Sequence, residues 1–210
     1  MLEQFDKTFI INLDRRGDRM SEVRSELERV GISDYERISA VDGRTLTGNY
    51  SVAIGHVGCS LSHLSVARLA KERNLKNYVV LEDDVIFHPQ FMEFDSFLKE
   101  VPANWDMIFL GGSHVKGFTR VTDKVIRMKG SYTTHAMIIK STMFDKLIHI
   151  WNTFHGSAEV DVALSRLHRD HFCYSFTPAL ASQRAGFSDI LERHDDYKHL
   201  RYDNNGNKPE

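Results

Sequence analysis

The sequence predicts an α/β protein, a mixed but mainly parallel sheet flanked by helices. Short apolar stretches rich in β-branched residues alternate with segments whose apolar residues recur at helical spacing. The first such stretch runs through a polar turn straight into a helix, the first half of a βαβ unit. A third stretch, Asn77 to Val85, reads as a buried parallel strand that ends in Glu82, Asp83 and Asp84.

Thr8 to Leu13 is the first strand, and the charged run Asp14 to Arg19 follows it. Met20, Val23, Leu27 and Val30 then recur at helical spacing until Gly31 closes the helix. Tyr35 to Val41 is a short apolar piece ending in the turn signal Asp42-Gly43. After a polar loop, Gly55 to His63 opens a helix that continues through Leu64, Ala67 and Leu69 to about Asn74. Its small residues permit close backbone approach to a neighbour or a ligand.

Beyond the acidic strand, Phe91 to Val101 is a helix with Phe91, Phe94, Phe97 and Leu98 inward, and Asp106 to Leu110 is a buried strand stopped by Gly111-Gly112. His114 to Lys124 reads as a hairpin or flexible segment, and Val125–Met128 and Thr134–Ile139 as strands. Ser141 is expected to cap a helix carrying Met143, Leu147, Ile150 and Trp151. A further helix starts near Val160, and Phe172 to Thr177 is a last strand, stopped by Pro178. One domain is expected over 1–191, with 192–210 a polar, mobile tail.

A chain of 210 residues with 27% charged residues is large enough for one sizeable core. A net charge of -2 gives no general attraction to nucleic acid or anionic membrane. The two cysteines, Cys59 and Cys173, form no CxxC or zinc-finger spacing, so a reducing compartment is expected. Neither a secretory leader nor an apolar run of transmembrane length is visible. The expected location is the cytoplasm, including that of a virus-infected cell, free or peripheral to a membrane.

Three features could carry chemistry. Burying one unpaired carboxylate costs several kcal/mol, so the cluster Glu82-Asp83-Asp84 needs a cation or solvent. Strict alternation along a strand would send Glu82 and Asp84 one way and Asp83 the other. Hard oxygen ligands of this kind suit Mg²⁺ or Mn²⁺. The arginines after the first strand match phosphate oxygens bidentately, or are solvated surface charge. Asp161, in the first turn of a helix, is either a dipole-favoured capping residue or an ionised general base. Phosphate-loop, GxGxxG and GxSxG patterns do not occur.

The order of these pieces resembles glycosyltransferase family 25, which includes bacterial lipopolysaccharide and lipooligosaccharide β-galactosyltransferases and animal collagen galactosyltransferases. Phe9 to Arg19 resembles the family's opening, Ala40-Val41-Asp42-Gly43 its AVDG element, and Gly58 to His63 its GCxxSH helix start. Leu81-Glu82-Asp83-Asp84 matches its LEDD motif, Trp105 to Gly111 its following strand, and Val160-Asp161, Pro178, Gln183 and Ser188-Asp189-Ile190 its later positions. The resemblance spans about Phe9 to Ile190. Two departures stand out: Tyr132-Thr133-Thr134-His135-Ala136 replaces a Tyr-Gly-Tyr-like strand, and Glu159 replaces a proline.

The resemblance implies a GT-A-like fold, a UDP-sugar donor, Mn²⁺ or Mg²⁺, and an inverting transfer of galactose or glucose to a hydroxyl of a glycan or protein acceptor. On it, Glu82 and Asp84 would hold the metal, with His194 as a third ligand, although His194 also reads as a solvated tail residue. Asp83 would meet the ribose or anchor the loop. Asn12, Leu13, Arg15, Arg19, Ser62 and His63 would line the nucleotide side, and Asp161 would deprotonate the acceptor. The rivals are a non-catalytic nucleotide-sugar-binding module and a metal-dependent nucleotidyltransferase or phosphohydrolase.

Overall fold

In chain order the elements are β1 (Thr8–Asn12), α1 (Gly17–Arg29), β2 (Glu36–Ser39), α2 (Ile54–Glu72), β3 (Asn77–Glu82), β4 (Val85–Phe87), α3 (Phe94–Leu98) and β5 (Met107–Phe109). They continue with β6 (Phe118–Arg120), β7 (Val125–Met128), β8 (Ala136–Lys140), α4 (Phe144–Phe154), α5 (Val160–Leu164), β9 (Cys173–Phe176), β10 (Ala181–Gln183), β11 (Gly186–Ser188) and β12 (Arg193–Asp195). This computed structural model describes residues 1–197.

Eight strands form one sheet in the order β2-β1-β3-β8-β5-β9-β7-β6. β1 pairs in parallel with β2 and β3, and β5 with β9, whereas β8 and β7 run against their neighbours. The sheet is therefore mixed, with most strands sharing one direction. Two antiparallel pairs, β10 with β4 and β11 with β12, lie outside it.

The alternation of side chains builds two cores. Ile10, Val79, Leu81 and Ile108 point to one face, where α1 contributes Val23 and Leu27 and the segment around α3 contributes Phe91, Phe94 and Phe97. Phe9, Tyr78, Val80 and Phe109 point to the other, under α2, α4 and α5. Each fully buried side chain of this size contributes about 1.5–3 kcal/mol relative to exposure. A sheet covered on both faces explains why its strands read as continuous apolar runs.

Some expectations shift. Ser141 begins a short 3-10 turn before α4 and makes no side-chain cap. α4 grows out of that turn, which puts Met143 and not Ser141 at its N-cap position. The long expected helix from Phe91 divides into a 3-10 turn, Pro89–Glu93, and the short α3. The polar segment after 191 is not all tail: Arg193–Asp195 pairs with Gly186–Ser188, because a hairpin needs only backbone groups and a turn. The rest of the expected tail, 198–210, lies outside the described residues.

Candidate active site

The parallel strands β1, β2 and β3 all end on one side, and a cleft of about 780 Å³, its open mouth included, lies beyond their carboxyl ends. Ligands bind at this position in open α/β sheets. Leu13 and Arg15 enter it from the β1 turn, Arg19 from α1, Cys59 and His63 from α2, and Glu82, Asp83 and Asp84 from the end of β3.

The loop after β2 is fixed against α2 by glycine. A Cβ on Gly58 would lie 2.5 Å from the carbonyl oxygen of Val41, and one on Gly43 would lie 2.3 Å from that of Ile54. The Ser62 hydroxyl accepts the Val41 N–H at 2.9 Å and donates to the Gly58 carbonyl at 2.7 Å. Ser62 is 1% exposed, and its hydroxyl holds this loop in place. Asn12, also 1% exposed, is scaffolding too. Its Nδ2 donates to Asp83 at 2.7 Å and to the Arg16 carbonyl at 3.0 Å, while its Oδ1 accepts from Arg37 at 2.9 Å.

The expected alternation of the three carboxylates does not hold. β3 ends at Glu82, and the chain turns at Asp83 and Asp84, so side-chain direction no longer follows the pleat. Arg19 Nη2 reaches Asp83 Oδ1 at 2.6 Å and Asp84 Oδ2 at 2.7 Å. Glu82 goes elsewhere: its Oε1 lies 3.0 Å from His63 Nε2 and accepts the Thr134 hydroxyl at 2.6 Å. The separation is thus Glu82 against the aspartate pair, and all three line the cleft.

Electrostatics follow this division. Burial raises Asp83 to about 6, with the Asp84 and Glu82 charges adding to it and Arg19 and Asn12 opposing. Asp84 is raised for the same first reason, and Arg19 again opposes. Burial also acts on Glu82, but the His63 and Thr134 hydrogen bonds outweigh it and hold this carboxyl low. Asp84 Oδ1 is buried without a hydrogen-bond partner. An excess of buried carboxylate over guanidinium, with one oxygen left without a donor, fits a hard divalent cation.

Asp189 joins the arginines. It takes Arg15 Nη1 at 2.5 Å, Arg16 Nη1 and, at 3.6 Å, Arg19 Nη1, while Arg15 Nε holds Asp42 at 2.7 Å. Asp189, Glu192 and Tyr197 form part of the cleft wall, although residues beyond 191 read as tail in the sequence. Buried His135 is also close enough to feel Glu82 and Asp84, and burial lowers its pKa. No local spacing marks it.

Asp161 lies on α5, outside the cleft wall. Its Oδ2 accepts the Thr133 N–H at 2.8 Å and its Oδ1 the Val162 N–H at 2.7 Å. Burial raises its pKa, the two N–H groups oppose, and Glu159 and Glu82 add to the rise. The helix dipole is a small contribution here, since α5 has 5 residues, and burial is the largest influence on this carboxyl. His194 is exposed and packs edge-on to Phe187 at 5.7 Å; it is absent from the wall of the cleft that holds Glu82 but lines a neighbouring cavity with Asp84, Arg19 and Tyr197.

The cleft lies where α/β proteins of this class hold their ligands, at the carboxyl ends of the strands. The chain belongs to glycosyltransferase family 25: the model of that family, described as an LPS biosynthesis protein, matches residues 5–159. Human procollagen galactosyltransferase 2 is 28% identical over 196 residues, covering 80% of this chain and 31% of the relative. The mouse protein named inactive glycosyltransferase 25 family member 3 is 33% identical over 134 residues, 53% of this chain and 22% of that one. The chain spans less than half the length of these curated relatives. A solved glycosyltransferase involved in glycosylation of the major capsid of PBCV-1 overlays 70% of this chain and 65% of its own, with a TM-score of 0.43 and 11% identity. No helix among the described residues is long and apolar enough to cross a membrane.

Proposed function

We propose that this chain is an inverting hexosyltransferase. It moves galactose or glucose from a UDP-sugar to a hydroxyl of a glycan or protein, with Mn²⁺ or Mg²⁺ bound. One observation carries the reading: Glu82, Asp83 and Asp84 converge on a cleft in which Arg19 bridges the aspartates and a buried Asp84 oxygen has no donor. The name of the human relative favours galactose.

Asp84 and Glu82 would hold the ion, with Asp83 beside them on Asn12 and Arg19. Once bound, the ion supplies Lewis-acid neutralisation of the departing diphosphate. The chain's own groups do the rest. Arg15 and Arg19 present guanidinium groups to phosphate oxygens. Leu13, Val41, Ile54 and Ile190 offer an apolar wall for the base and ribose. Asp161 takes the proton of the acceptor hydroxyl, and burial, by raising its pKa, makes it a stronger base than an exposed aspartate. Attack from the side opposite the leaving group inverts the anomeric carbon.

The test is a UDP-sugar panel with Mn²⁺ or with chelator, reading donor binding and UDP release. Metal-dependent binding with UDP release and transfer supports the reading, and absence of nucleotide-sugar binding with metal present overturns it. Binding without turnover across many acceptors identifies a binding module instead. Release of phosphate or pyrophosphate identifies a nucleotidyltransferase or phosphohydrolase.

A further inference from the structure

We propose that Cys59, His63 and Glu82 form a binding site for a thiophilic divalent cation, Zn²⁺ in class, chemically distinct from the hard-cation site of the carboxylates. One ligand atom from each of the three residues lies within 4.8 Å of the others. Cys59 and His63 are four residues apart on α2, so their side chains share one face of the helix. Glu82 arrives from the end of β3 and meets that face. All three line the cleft.

The surroundings favour a cation here. Burial first, and then the negative field of Glu82, Asp161, Asp84 and Asp83, keep the Cys59 thiol protonated until a cation takes the proton's place, and that same field favours the cation. Arg19 Nη2 pairs with the two aspartates, and Glu82 meets an imidazole and a hydroxyl. The neighbours also hold the ligands in place. Thr134 donates to the Glu82 carboxylate at 2.6 Å, and the His63 ring lies 5.5 Å from that of Trp151. Partners of this kind fix the orientation of metal ligands.

The chemistry selects the ion. Tetrahedral Zn²⁺ takes thiolate at about 2.3 Å and imidazole or carboxylate at about 2.0–2.2 Å, which spaces neighbouring donors roughly 3.3–3.7 Å apart. His63 Nε2 and Glu82 Oε1, now 3.0 Å apart, would part slightly, and the sulfur would move in by roughly one ångström at most. Binding releases the thiol proton. Three protein ligands leave a fourth position open toward the cleft. Sulfur selects Zn²⁺ over Mg²⁺ and Mn²⁺. If the transferase reading holds, Zn²⁺ withdraws Glu82 from the hard-cation set and inhibits the enzyme in competition with Mn²⁺.

The test uses the full chain and no nucleotide sugar, so it is independent of that reading. Titration with Co²⁺ should give a sulfur-to-cobalt charge-transfer band in the near ultraviolet and the intense visible bands of tetrahedral cobalt. One equivalent of Zn²⁺ should erase both, and excess Mg²⁺ should not. Cys59→Ser should remove the charge-transfer band, and His63→Gln should weaken Co²⁺ binding by about 10-fold or more. Asp84→Asn should keep the band. Cys173, on β9 and fully buried, gives no competing signal. Co²⁺ binding without the band, or a band that survives Cys59→Ser, overturns the proposal. Should Cys59→Ser not fold, X-ray absorption of the Zn²⁺-loaded wild-type chain decides: one sulfur among nitrogen and oxygen scatterers supports the site, and oxygen scatterers alone overturn it.

Discussion

The carboxylate of Asp161 accepts the backbone N–H of Thr133 at 2.8 Å, and Thr133 stands at φ 77°, in the left-handed region. A β-branched residue is rarely found there, and the conformation costs on the order of 1–3 kcal/mol. Asp161 therefore clamps a strained loop as well as serving as the candidate base. Asp161→Asn largely separates the roles: its amide oxygen still accepts the Thr133 N–H, its NH2 leaves the Val162 N–H without that acceptor, and the side chain no longer takes a proton. The expected outcome is unchanged donor binding with transfer slowed by about 10²–10⁴-fold. Asp161→Ala should in addition lower the melting temperature, since two backbone N–H groups lose their acceptor at about 1–3 kcal/mol each where buried. Equal loss of donor binding in both variants would argue against the base.

Thr133→Gly tests the strain directly. Glycine adopts a positive φ without a Cβ clash, and the change also deletes a buried hydroxyl that has no partner. Against this stands the greater unfolded-state freedom of glycine, roughly 0.5–1 kcal/mol. The expected net effect is a variant at least as stable as the parent, by up to about 1–2 kcal/mol. Chemical denaturation measures it, and a loss above about 1 kcal/mol would show that Thr133 is not strained.

Much of this arrangement is legible in the sequence. Asn77 to Glu82 reads as a buried strand because both faces of the sheet are covered, and the charge at its end marks the cleft. The roles of the three carboxylates are not legible, since alternation stops where the strand stops. Asn12 and Ser62 look like ligand contacts, and the structure adds a second use that the sequence does not show: both make internal hydrogen bonds, Ser62 while also lining the cleft. Asp189 lies 174 residues from Arg15 with no local pattern to reveal it. The available signal was on the other side: three arginines in the run Arg15 to Arg19 need carboxylate partners somewhere in the chain.

Arg19→Ala removes the guanidinium shared by Asp83 and Asp84. Breaking a buried pair from one side costs about 3–5 kcal/mol, because the remaining charge is left uncompensated. The variant should melt well below the parent at pH 7.5 and recover part of that loss at pH 5, where the aspartates take up protons. Mn²⁺ should stabilise it more than it stabilises the parent, if the carboxylates hold the ion. A variant equally stable at both pH values would place the aspartate charges in solvent.

Asp83 makes the pH dependence specific. Its carboxyl is raised from 3.8 to about 6, so the folded chain holds that proton more tightly than the unfolded chain does. The associated stability is complete below about pH 4 and is lost as pH rises through 6. The difference of about 2 pKa units corresponds to on the order of 2–3 kcal/mol. Glu82 works in the opposite sense and lower down: its carboxyl is held below 4.5, so its contribution is lost only as pH falls toward 2. Between pH 5 and 7.5 the two effects therefore separate, and the parent should lose stability as pH rises. Asp83→Asn, which mimics the protonated carboxyl, should flatten that slope and match or exceed the parent at pH 7.5. Mn²⁺ should flatten it in the parent, because a bound cation offsets the charge that burial penalises. Denaturant melts across this window, with and without Mn²⁺, measure all three. A parent slope unchanged by Asp83→Asn would assign the titration to another group.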